Sequence, residues 1–66
     1  MVIAVPKYKL DENTYLKREL LRHAEEVRDG VSQYEYIPKP QHFFIMISLL
    51  EKHYISYGVH AEKDWR

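Results

Sequence analysis

The chain has 66 residues, 45% of them hydrophobic and 14% aromatic, with ten basic residues against ten acidic ones and no cysteine. This is too apolar for a disordered chain, its neutrality supplies no global field for nucleic acid or an anionic membrane, and the missing thiols exclude disulfides and thiolate metal sites. A single domain of this size has a core worth only roughly 3–5 kcal/mol, so oligomerisation is the remaining staple.

Residues 2–8, VIAVPKY, combine β-branched and aromatic side chains with Pro6, which cannot donate to a ladder, and read as a short or edge strand. The opening run MVIAV is too short for a signal-peptide core, and FFIMI further on is interrupted by Ser48, Glu51, Lys52 and His53, so neither is expected to span a membrane. A helix is predicted over 11–29. Asp11 is its expected cap, Leu10 staples onto Tyr15, and Leu16, Leu20, Ala24 and Val27 form one apolar stripe with Leu21 beside it. Gly30 is the expected left-handed stop.

The connection 31–39, which contains Tyr34 and Tyr36, reads as either a loop or a short strand followed by an extended Ile37-Pro38-Lys39-Pro40 stretch, because residues before proline avoid helical angles. A second helix is predicted over 40–57, with Pro40 in its first turn and Gly58 ending it. The tail 58–66 is polar apart from Val59 and Trp65.

Helix two carries more apolar surface than one partner helix can cover. On a wheel of 3.6 residues per turn, Phe43, Met46, Ile47, Leu50, Tyr54 and Tyr57 share one face, Phe44 and Ile55 lie to one side, and Ile45 and Leu49 to the other. The fold class expected is therefore mainly α with minor β. It is one domain, an antiparallel two-helix hairpin preceded by a short strand, with its core completed in a homodimer. The alternative is a monomer in which the strand and the tyrosine-rich connection fold over helix two.

No constellation for catalysis is visible. With Gly30 and Gly58 both at expected helix ends there is no phosphate-cradling loop, and Ser32, Ser48 and Ser56 lack a nucleophile context. His23, His42, His53 and His60 fall at spacings that suit no metal site, so no metal or other cofactor is expected. Glu25, Glu26 and Asp29, interleaved with Arg22 and Arg28, read as a solvated face with Arg22 and Glu26 paired.

The function expected is that of a non-enzymatic regulator or inhibitor of the phage or mobile-element type, binding itself and then a larger cytosolic protein or complex. Its interface would comprise Phe44, Ile45, Leu49 and Ile55 on helix two, Tyr34 and Tyr36 from the connection, and Trp65, since aromatic side chains bury large areas with few rotors to freeze. The expected compartment is the cytoplasm.

A second reading is nucleic-acid binding. Lys7 and Lys9 alternate with Pro6, Tyr8 and Leu10 before a helix opening KLDENTYLKRELL and a second apolar helix, an order that resembles the ribbon-helix-helix repressors. That resemblance implies a dimeric transcriptional regulator in which Lys7 and Lys9 read bases and the start of helix two holds phosphate. Tyr34, Tyr36 and Lys39 form another basic and aromatic combination, able either to stack on unpaired bases or to pack against a helix.

Overall fold

The computed structural model describes residues 1–61; Trp65 and the rest of 62–66 lie outside the described residues. In chain order the elements are β1 (Val2–Pro6), α1 (Lys7–Asp11), α2 (Thr14–His23), β2 (Ala24–Asp29), β3 (Gln33–Pro38), α3 (Phe43–Lys52) and β4 (Gly58–His60). The four strands form one antiparallel sheet in the order β2-β3-β1-β4. Of these residues, 41% are helical and 33% lie in strands. The expected two-helix hairpin is therefore wrong. This is a sheet layer with helices packed on it, with the βαββαβ connectivity of a split βαβ, or ferredoxin-like, arrangement.

β1 is not an edge strand. It lies between β3 and β4, pairing Ile3 with Tyr36 and with Val59, and a continuous apolar run is what an interior strand requires. Pro6 stands at its end, opposite Gln33, where a missing amide costs little. Because Cβ atoms alternate along a strand, Ile3 and Val5 share the helix-covered side with Tyr34 and Tyr36, while Val2 and Ala4 share the other side with Glu35. Leu10, Leu16, Leu20, Met46, Leu50 and Ile55 close the core from the helical layer.

The predicted first helix divides into three elements. Lys7 and Lys9, expected in the strand, lie on α1, which ends at Asp11. The true cap of α2 is Asn13, whose Oδ1 accepts from the Leu16 amide at 3.0 Å. Residues 24–29 then leave the helix and become β2. Their alanine and glutamates favour a helix locally, but the ladder to the aromatic strand QYEYIP captures them, with a bulge between Glu26 and Arg28. Gly30 is not a left-handed stop, since no glycine has positive φ. It is needed for close approach: its amide donates to the Gln33 carbonyl at 2.9 Å, and a Cβ there would lie 3.0 Å from that same oxygen.

The second predicted helix is shorter than expected at both ends. α3 finishes at Lys52 in a Schellman arrangement, with the Ile55 amide donating to Leu50 at 2.9 Å and the Tyr54 amide to Glu51 at 3.0 Å. Tyr54 takes the left-handed position normally given to glycine, at φ 57. Gly58, expected to end this helix, instead opens β4 and pairs with Ala4.

Candidate functional site

α3 is apolar on two opposite sides. One side is spent on the core, where Met46 and Leu50 are fully buried and Phe43 and Ile47 pack at the margin. Turning outward are Phe44, 79% exposed, and Ile45, 42% exposed, with Ser48, Leu49 and Lys52 along the same face. These five residues line a surface hollow of about 340 Å³. Phe44 rises beside it with its ring edge-to-face against Phe43, centroids 5.3 Å apart.

Both ends of α3 hold strained backbone. Gln41, just before it, has φ 67, and Tyr54, just after it, has φ 57 and is 92% exposed. Non-glycine residues in this region are uncommon, and Tyr54 takes it as the residue after the helix cap in the Schellman turn. The outer face of α2 contrasts with that of α3. It carries Arg18 and Arg22 among Tyr15 and Leu21, and Arg22 pairs with Glu19 at 3.1 Å rather than with Glu26.

The predicted interface residues separate into groups. Phe44 and Ile45 share the outer face of α3, while Leu49, half-buried, both lines the hollow there and packs against the core. Ile55 does not join them, because as the residue following the Schellman turn it packs back into the core at 6% exposure. Tyr34 and Tyr36 are core residues of β3, 4% and 0% exposed. Their hydroxyls are satisfied internally: Tyr34 donates to Asp11 at 2.7 Å and Tyr36 to Glu26 at 3.2 Å. Burial, then the nearby Glu26 carboxylate, push the Tyr36 phenol well above the ordinary tyrosine range. Neither ring is open to stack on a base. Trp65 lies outside the described residues.

Lys7 and Lys9 form no ribbon. A ribbon needs β1 free to pair with a second copy, and both of its edges are occupied. Lys7 donates to Asp29 and to the Gly30 carbonyl, tying α1 to the β2–β3 turn, and the Asp29 hydrogen bond raises its pKa. Lys9 stands over the Tyr8 ring at 5.6 Å. Lys17 completes this corner of the molecule, 3.9 Å above the Tyr34 ring, and its pKa is raised, first by hydrogen bonding to the Tyr34 side chain.

Two polar juxtapositions escape sequence reasoning because they join distant segments. His23, ending α2, and His42, preceding α3, meet Nδ1 to Nδ1 at 3.1 Å, so that one ring donates to the other. They are a pair only: among the described residues no three ligating side chains gather as a metal site would need. On the sheet side opposite the helices, Glu35 is 4% exposed, with Gln33 donating to Oε2 at 3.2 Å and Arg28 forming an ion pair with the same oxygen at 3.6 Å. Its Oε1 has no hydrogen bond, and His60 Nε2 lies 3.8 Å away. That oxygen is covered by protein atoms, so it offers a ligand no direct contact.

Among the described residues no helix is long and apolar enough to cross a membrane. Comparison with protein-family models, with curated proteins and with solved structures gave no match. The connectivity is shared by many unrelated activities, which leaves the outer face of α3 as the feature with the clearest chemical meaning.

Proposed function

We propose that this protein is a non-enzymatic protein-binding module whose working surface is the outer face of α3. The supporting observation is the pairing on one short helix of fully buried Met46 and Leu50 with Phe44 and Ile45 at 79% and 42% exposure. A solvent-facing helix ordinarily reserves its outer side for charge, and contiguous exposed apolar surface marks interaction sites in folded proteins. The aromatic Phe44 is the anchor, Ile45 and Leu49 flank it, and Lys52 supplies a polar rim. Action is steric: the face occupies an apolar surface on another protein subunit and thereby blocks or recruits it. The cytoplasm is the compartment proposed, since a cysteine-free chain suits reducing surroundings.

Site-specific photocrosslinking tests this reading. A photoreactive phenylalanine in place of Phe44 is expected to give a discrete protein adduct in cells that make the chain, and one in place of Arg18 on α2 is not. The adduct should disappear when Ile45→Asp is added. No adduct from position 44, or equal adducts from both positions, would exclude α3 as a docking face.

A further inference from the structure

The outer face of α3 carries both halves of a self-complementary contact. Ile45, Ser48, Leu49 and Lys52 stand at i, i+3, i+4 and i+7, the four positions that frame a hole on a helix surface into which a knob from a facing helix fits. Ser48 is the smallest of the four, which together with Phe44 line the 340 Å³ hollow. The knob is Phe44, beside that hole and 79% exposed.

We infer that the protein seated on this face is a second copy of the same chain, with the two α3 helices antiparallel about a two-fold axis passing between Ile45 and Ser48. Each Phe44 enters the hole over Ser48 of the other copy, and both contacts form together because the symmetry makes the patch its own partner. The inference rests on the protein-binding reading of α3 and names its occupant.

Charge and size agree with this choice. The stripe is neutral from Phe44 to Leu49, with Lys52 at one end, and the chain has a formal net charge of zero, so two copies meet without repulsion and no oppositely charged partner is called for. α3 has ten residues and so is about 15 Å long. Packed on its copy, with Pro40, Gln41 and Tyr54 at the margins, it supplies a small interface, at or below the lower end of the specific range. A contact of this size fits a weak dimer that forms only at high protein concentration.

Sedimentation equilibrium of the purified chain is the test. The expected result is a mass rising with concentration to twice 8.0 kDa, with Phe44→Ala and Ser48→Glu each weakening the dimer by at least about tenfold. Ser48→Ala, which leaves the hole open, and Leu21→Ala on α2 should leave it unchanged. Circular dichroism checks that each variant folds. Should one fail to, an equimolar mixture of the Ile45→Cys and Ser48→Cys chains, each with no other thiol, reports the geometry directly, since the two-fold axis sets these two positions opposite each other. The mixture should oxidise to a disulfide-linked dimer at least about tenfold faster than Arg18→Cys.

A dimer indifferent to Phe44→Ala and Ser48→Glu would overturn the proposal. So would a wild-type monomer up to about millimolar concentration. In that case adducts from position 44 to some other protein would preserve the protein-binding reading, and their absence would remove both.

Discussion

Tyr36 shows how a single side chain belongs to two environments. Its ring is 0% exposed beneath the helices, while its hydroxyl reaches Glu26 on the neighbouring strand at 3.2 Å. Burial and then Glu26 raise its folded-state pKa above the ordinary value of 10.0, whereas in the unfolded chain the phenol titrates normally. The stability contributed by keeping it protonated is therefore complete below about pH 10 and is lost as pH rises beyond that, because the unfolded chain releases the proton first. Urea midpoints measured from pH 8 to pH 11.5 should be level and then fall. Tyr36→Phe should flatten the alkaline decline while lowering the plateau by about 1 kcal/mol for the lost hydrogen bond.

At the level of elements, the end of α3 holds one of the two non-glycine residues with positive φ among the described residues. The two Schellman hydrogen bonds and the return of Ile55 to the core force the residue between them into the left-handed region, and that residue is Tyr54, at φ 57. Glycine adopts this conformation without the Cβ clash, so Tyr54→Gly is expected to stabilise the fold by about 1 kcal/mol. The measurement is the shift in chemical unfolding midpoint at unchanged slope. A loss of stability would mean that the exposed tyrosine makes an intramolecular contact worth more than the strain. The beginning of α2 is the opposite case, an ordinary cap in which Asn13 accepts from the Leu16 amide. A cap of this kind is visible from residue type, yet Asp11 was the more obvious candidate. Asp11 instead receives the Tyr34 hydroxyl from a strand 23 residues away.

For the whole molecule, the two sides of α3 divide stability from binding. Leu50→Ala removes a fully buried side chain from the core and should cost about 2–5 kcal/mol, enough to leave little folded protein in so small a domain. Phe44→Ala should change the thermal midpoint of dilute, monomeric protein by no more than about 0.5 kcal/mol equivalent. Differential scanning calorimetry at low concentration separates the two. A large loss from Phe44→Ala under those conditions would place its ring in the intramolecular core.

Helical periodicity placed Phe44 to one side of the core face and Ile45 and Leu49 to the other, since position around a helix follows from spacing; that Phe44 and Ile45 both turn outward, around Ser48, is seen only in the structure. Periodicity also marked Leu16, Leu20, Met46 and Leu50 for the core face. The strand arrangement was not legible, for distinct reasons. In 24–29, AEEVRD, the local preference is helical and the apolar spacing continues that of α2, so only the ladder to Tyr36 and Glu35 makes it a strand. β4 has three residues, too few for a period to appear, and owes its form to Val2, Ile3 and Ala4 beside it. Tyr34, Tyr36 and Ile55 suited an interface by residue type, and it is the closing of the sheet and the turn after α3 that buries them. Residue identity and spacing determine the apolar faces of an element, because these depend on the chain's own geometry. Which faces are covered depends on contacts between segments far apart in the chain, and only the tertiary structure decides that.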